Sequence, residues 1–383
     1  MDELAIKGGR PASPNIIHLA RPTFTEAEAA EITRVLRTGN LRQGDMTREF
    51  EEKFAERMGA IHAYAVSSGT AALHLSYLSL LEEGDEVIVP AFSFIATASM
   101  VHHVKAKPVF ADIDPYTFLM DPEDVKEKVT PRTRALSPVH LFGGSCDMKA
   151  LQDLAGDHDL FIVNDCAQAH GTTYDGRELG SYETVGCYSF YPSKSITTGE
   201  GGMVTTNTAR LHEMGGLLRN HGESTKHHHV AWGYNYRTTD IAAALGLIQL
   251  KKFDEGLVKR RSAAEKLRRG LEGMEAVTPQ KNLALCKPSY SYFAVRLDLE
   301  ELRCTRNQFT EALIAENIEC GVHYPRALTQ QPIVVDTYHP QECRVAEDLS
   351  ERVISLPMHP GLTDEDVSHI LEGVEKVLTC FIR

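Results

Sequence analysis

Two rhythms of apolar residues alternate along the first two-thirds of the chain. Thr25-Glu-Ala-Glu28 has the form of a capping box, and Ile32, Val35 and Leu36 after it share one helical face that Gly39 closes. A second helix is expected over about 46–58. Short apolar runs at 62–66, 86–89, 108–113, 135–140, 160–164 and 185–190 predict strands, and helical stretches at 69–81, 95–104 and 148–155 separate most of them. Strands without a polar face that alternate with helices predict an α/β domain around a mostly parallel sheet. From Ile241 the period lengthens into helix as far as about Leu271. Beyond it come a strand-like run at 292–297, a helix over 307–317 and a last helix opened by Thr363-Asp-Glu-Asp366. This predicts a large domain with the N-terminal segment over 1–250 and a smaller α+β domain over 251–383.

Composition narrows the function without naming it. The chain of 383 residues has 40 Lys and Arg against 53 Asp and Glu, a formal charge of −13. That balance argues against nucleic acid as a partner, because gripping phosphate backbones takes clustered cations. The first twenty residues lack the basic start and apolar stretch of a secretory signal, and no apolar run approaches the ~18 residues that span a bilayer. A cytoplasmic protein with no membrane partner is expected. The eight cysteines are scattered with no C-x-x-C pair, which reads as thiols in a reducing compartment rather than zinc ligands or disulfides. His227-His228-His229 invites a metal reading, but adjacent histidines in a polar loop diverge, so no metal is expected.

In parallel sheets ligands sit beyond the carboxyl ends of strands, and four clusters stand in such places. Ser67-Ser68-Gly69-Thr70 joins a strand to a helix start, where free N–H groups and the dipole suit a phosphate; a capping turn without a ligand is the other reading. Asp165, in Asn164-Asp-Cys-Ala-Gln-Ala-His-Gly171, follows a buried strand and needs a cation or donors unless it merely caps the next helix. Lys194 sits between Tyr191-Pro-Ser193 and the glycine-rich Gly199-Glu-Gly-Gly202, with its glycines after it rather than before, which excludes a Walker loop. No G-x-G-x-x-G follows the first strand, which disfavours a dinucleotide. Trp232-Gly-Tyr-Asn-Tyr-Arg237 reads either as a binding loop or as an interface. One chemistry uses all four. Pyridoxal phosphate needs a phosphate cup, an acid for its pyridine nitrogen, an aromatic platform and a carbonyl-trapping lysine.

At these residues the chain resembles the DegT/DnrJ/StrS-type sugar aminotransferases, a pyridoxal-phosphate family of the aspartate aminotransferase-like fold type I. The likeness is carried by Thr38-Gly-Asn-Leu-Arg-Gln-Gly44 with Glu49-Phe-Glu51, Ser67 to Leu73, Pro90 to Thr97, Asp165 to Gly171, Ser189 to Gly202, Gly233 to Asp240, and Ser355-Leu-Pro-Met-His-Pro-Gly361. It implies that Lys194 is the Schiff-base lysine and proton carrier, and that Asp165 partners the pyridinium nitrogen. It further implies that Phe94 stacks on the ring, with Gln168 on the other face near the ring hydroxyl. Ser68, Gly69, Thr70 and Ser189 would form the phosphate cup, and Asn235 would reach the phosphate of a partner subunit, so that a homodimer is obligatory. The family's donor is usually L-glutamate, sometimes glutamine, and its acceptor usually a nucleotide-linked keto-sugar. The run Lys194-Ser-Ile-Thr-Thr-Gly-Glu-Gly-Gly202 resembles enzymes that aminate 4-keto sugars most closely.

Two other readings stay open. One is a dehydratase or deoxygenase on the same fold, in which a histidine replaces the lysine, against which Lys194 argues. The other is a non-catalytic sensor of the cofactor or of a sugar nucleotide. The chain departs from the family pattern where Arg326-Ala-Leu-Thr-Gln-Gln331 lacks the histidine usual after His323-Tyr-Pro325, and where Cys166 and Ser145 replace alanine and proline.

Overall fold

The computed structural model describes residues 3–182 and 185–383. Strands β1 (His62–Val66), β2 (Glu86–Pro90), β3 (Lys107–Ala111), β4 (Thr133–Leu136) and β5 (Phe161–Asp165) come first. A short hairpin of β6 (Thr173–Tyr174) and β7 (Arg177–Glu178) precedes β8 (Val185–Ser189) and β9 (Gly202–Thr206). Seven of these form one sheet in the order β1-β9-β8-β5-β4-β2-β3. Pairing is parallel from β8 through β3, and β9 alone runs against its neighbours. Helices Gly69–Leu80, Ala96–His103 and Met148–His158 connect and cover the strands, each close to its expected limits. This is the mostly parallel, helix-flanked sheet of the fold type I transferases.

The strands form where the apolar runs lie, and the exceptions have local causes. β4 ends at Leu136, short of the expected 140, because Pro138 offers no N–H; its carbonyl still accepts from Asp165 N at 2.9 Å. β9 is absent from the sequence expectation because Gly201-Gly202 reads as a turn. Buried Glu86, on β2, stands at the end of the sheet opposite to the carboxyl ends of the parallel strands. Burial raises its pKa, but donors from Thr130, Arg132 and Lys107 outweigh that and hold it below the ordinary carboxylate value.

After the sheet, β10 (Glu223–Thr225) and β11 (His228–His229) make a surface ribbon. Its histidines engage separately: His228 Nδ1 with Ser224 Oγ at 2.8 Å, and His229 Nδ1 with the His221 carbonyl at 3.0 Å. Among the described residues no cluster of three or more such side chains could hold a metal ion, and no helix is long and apolar enough to cross a membrane. Thr239 caps the 31-residue helix Asp240–Gly270. Leu247, Phe253 and Leu257 on this helix enter the core of the large sheet, whereas Ala263, Ala264 and Leu267 enter a second core. The division expected near residue 250 thus falls inside one continuous helix. The second core lies around the antiparallel sheet β12 (Val277–Pro279), β14 (Phe293–Leu297) and β15 (Val353–Leu356), while β13 (Cys286–Lys287) adds to the β6–β7 hairpin.

Two segments cross between the units. Leu4 and Ile17, near the N-terminus, belong to the second core, where buried Glu316 accepts from Ala5 N and Ala12 N and pairs with Lys376. Ala327 and Leu328 return to the first, with Leu328 N donating to the Ala91 carbonyl at 2.7 Å. Cys146, Cys166, Cys187 and Cys343 are buried, Cys286, Cys304 and Cys320 half-buried and Cys380 exposed.

Because β9 is antiparallel, it starts where its neighbours end. Gly202 therefore pairs with both Val66 and Ser189. A β-carbon on Gly202 would sit 2.4 Å from the Ser68 carbonyl oxygen and 2.8 Å from Gly69 N. We expect Gly202→Ala to cost about 1–3 kcal/mol by forcing these backbones apart. A fall in thermal denaturation midpoint relative to the parent would show it; an unchanged midpoint would mean that the turn moves aside freely.

Candidate functional site

A cavity of about 430 Å³ opens at the edge where β1, β5 and β8 end and β9 begins. Ser68, Gly69, Thr70, Phe94, Asp165, Gln168, Ser189 and Lys194 all line it. These come from five separate places in the sequence, and the sheet order brings them together.

Ser68 is the N-cap of helix Gly69–Leu80, its Oγ accepting from Ala71 N at 3.1 Å. A cap of this kind is worth about 1 kcal/mol, and it leaves the first N–H groups and the positive end of the helix facing the cavity. Gly69 is needed at this spot: a β-carbon there would approach the Ser189 β-carbon to 2.8 Å. Helix start, glycine and serine hydroxyl thus form a small polar cup suited to a phosphate.

Asp165 ends β5 and is buried. Its Oδ2 accepts from the Thr97 hydroxyl and its Oδ1 from Ala167 N, both at 3.1 Å. Burial pushes its pKa up, and these donors with the positive charge of Lys194 only partly offset that. Such a carboxylate is complementary to a further cationic N–H donor. Lys194, half-buried in the turn after β8, has its pKa pushed down to about 8 by burial, against a smaller opposite effect of Asp165. About a tenth of such an amine is neutral at pH 7, far more than of an ordinary lysine. It can therefore attack a carbonyl.

The other walls are aromatic. Phe94 is 55% exposed, and its ring lies 5.9 Å from that of Tyr324. Gln168 faces the same space with its amide engaged twice: Oε1 accepts from Phe142 N at 2.8 Å, and Nε2 donates to the Tyr324 hydroxyl at 3.0 Å. Asn235 lies apart, exposed on the surface, with its backbone bridged to Asn220. Its neighbour Trp232 is 97% exposed.

Three polar wall residues, and Thr97 behind the wall as a donor to Asp165, were not singled out from sequence. Tyr292, on the small-domain side, donates to Ser193 Oγ at 2.9 Å and stacks at 4.4 Å on His323, which bonds Ser355 Oγ. Burial, then the charge of Lys194, pushes His323 down to about 4, so it is neutral at physiological pH. Tyr324 and Thr97 complete the set. Thr97 stands inside a stretch that carries the family likeness, and His323-Tyr324 directly precedes the segment where the chain departs from the family pattern; Tyr292 sits in an ordinary apolar run with no distinguishing signal.

The residues present fit pyridoxal 5'-phosphate. They offer a phosphate cup, a buried acid awaiting a cationic partner, an aromatic wall and an amine of lowered pKa in one cavity. Comparison with known proteins gives the same answer. The family model described as the DegT/DnrJ/EryC1/StrS aminotransferase family matches residues 22–375. The chain is 35% identical to the GDP-perosamine synthase of Escherichia coli O157:H7 over 94% of this chain and 98% of that one. It is 36% identical to an Acidithiobacillus ferrooxidans protein named UDP-N-acetyl-3-dehydro-alpha-D-glucosamine 3-aminotransferase, over 91% and 92%. Among solved structures, the putative sugar aminotransferase Spr1654 of Streptococcus pneumoniae in its PMP-form superposes with a TM-score of 0.88 at 30% identity, covering 95% of this chain and 99% of that one, and a PLP-form of it is known as well. The chain belongs to the DegT/DnrJ/EryC1/StrS aminotransferase family, with the fold type I architecture and pyridoxal 5'-phosphate as its cofactor.

Proposed function

We propose that this is a cytoplasmic homodimeric enzyme that moves an amino group from L-glutamate to a nucleotide-linked keto-sugar, a 4-keto sugar being the favoured acceptor. The observation that carries the reading is the convergence of Lys194, Asp165 and the Gly69 helix start on one cavity. When bound, the cofactor supplies an electron sink that stabilises the carbanion formed as the proton leaves the substrate carbon. Lys194 would hold the cofactor covalently and, as a free amine, would carry that proton, for which an amine near pKa 8 is well matched. Asp165 keeps the ring nitrogen protonated, its own charge stabilised in return. Phe94 would support one face of the ring, while Gln168, fixed by Phe142 and Tyr324, would close the other. Ser68, Gly69, Thr70 and Ser189 hold the phosphate, and the partner's copy of Asn235 completes the cup. Support for a nucleotide-sugar acceptor comes from the names of the relatives. The 4-keto preference rests on the Lys194 to Gly202 likeness, and one relative of similar identity is named as a 3-aminotransferase.

Absorbance spectra of the cofactor-loaded protein before and after L-glutamate test the donor. Loss of the lysine-bound band with growth of the amine-form band is expected; a band indifferent to glutamate would overturn it as donor.

Lys194→Ala and Asn235→Ala should each abolish turnover while the chain stays folded. Mixed and allowed to exchange subunits, the two should regain activity, because one hybrid site then has both residues. No recovery would place Asn235 outside the neighbouring site.

In the cofactor-free protein the rate of pyridoxal phosphate capture should rise with pH up to about 8 and level off above it, following the neutral fraction of Lys194. The sign follows from a depressed lysine pKa: the amine is increasingly protonated, and unreactive, as pH falls through that value. A rise continuing toward pH 10.5 would mean that Lys194 is an ordinary lysine.

A further inference from the structure

Ser193 and Lys194 face the cavity described above, but the next residue, Ser195, lines a second one of about 360 Å³. The middle of helix Asp240–Gly270 forms one wall of it, bringing Lys252, Lys259 and Arg260 to the same space. Two of these cations are engaged. Lys252 pairs with Glu28, which also accepts from Gln249 at 2.8 Å, and Lys259 pairs with Glu255 at 2.7 Å.

Arg260 is different. It is 5% exposed, and its Nη1 donates to the carbonyls of Met358 at 2.8 Å, Tyr290 at 3.3 Å and Ser291 at 3.5 Å. Its Nε and Nη2 have no hydrogen-bond acceptor, and no carboxylate stands within ion-pair distance, among the described residues. Burial pushes its pKa down to about 10, so it remains a cation at neutral pH. The unneutralised charge is felt nearby: His359 is pushed down to about 4, first by burial and next by Arg260. On the same cavity, the Ser195 Oγ is buried without any partner. A desolvated guanidinium lacking a counter-ion and an orphaned hydroxyl are each costly, and one bound group could satisfy both.

We infer that this second cavity is a binding site for a small oxyanion, a phosphate or carboxylate group, held by the Arg260 guanidinium and the Ser195 hydroxyl. A guanidinium presents paired donors matched to the two oxygens of such a group. Lys252 and Lys259 each neutralise the carboxylate beside them, so the unbalanced charge at the wall is that of Arg260. The site is distinct from the phosphate cup at Gly69, and the inference depends on neither the amino donor nor the sugar.

The test is calorimetric titration of the full chain, saturated with pyridoxal phosphate so that the cup is filled. Inorganic phosphate is one probe and succinate, which has no amine or carbonyl to react at Lys194, the other. Saturable binding of at least one is expected, weakened about tenfold or more by Arg260→Gln, as befits loss of a charged hydrogen bond, and less by Ser195→Ala. Which probe binds tells whether a phosphate or a carboxylate is the natural ligand. If Arg260→Gln fails to fold, Ser195→Ala alone decides. The inference is overturned if neither anion binds, or if the folded variants bind as tightly as the parent.

Discussion

The whole site depends on keeping an acid and an amine out of water in one cavity. Burying either ion alone costs several kcal/mol even after local relaxation. Here Asp165 has two protein donors and the field of Lys194, and still its pKa is raised; Lys194 has the field of Asp165, and still its pKa is lowered. Both groups are therefore left short of partners in a way that a protonated heterocycle on one side and a carbonyl on the other would relieve. The strain is sustained because β5, which ends at Asp165, and β8, which leads into the turn of Lys194, are adjacent parallel strands held by the buried sheet core. Stability made in the core is what permits the uncompensated polarity at its edge.

Much of this was legible in the sequence because the residues that build the cup and the charges are also those that end elements. Ser68 caps a helix, Asp165 ends a strand, and Lys194 follows one; each leaves a local signature of small or polar residues after an apolar run. The starts of helices with capping boxes, such as Glu26–Thr38 and Asp364–Phe381, were clear for the same reason. What was not legible depends on long-range pairing. β9 was hidden because Gly202 must be glycine to fit against Ser68, and glycine reads as a turn. Tyr292 was hidden because its role comes from a contact with Ser193, 99 positions away in sequence. The shared helix Asp240–Gly270 likewise hides the change of core, since an unbroken helical period carries no mark of what lies on its face.

The contacts that escaped sequence reading have a common character: they join segments far apart in the sequence at the cavity. Gln168 of the large unit donates to Tyr324, and Tyr292 donates to Ser193, one residue before the lysine. Leu328 hydrogen-bonds to Ala91, three residues before Phe94. The walls around Phe94, Gln168 and Lys194 are thus each tied by a hydrogen bond to a residue from the last hundred positions of the chain, and those partners pack in or against the core of the large sheet. Arg260 gathers the carbonyls of Tyr290 and Ser291, directly before Tyr292 in sequence, and that of Met358 onto the shared helix. A change in how Arg260 is satisfied would consequently be passed to Tyr292, to Ser193, and so to the turn that carries Lys194. The second cavity is therefore close to the chemistry along the chain, Ser195 following Lys194, while being lined by different residues.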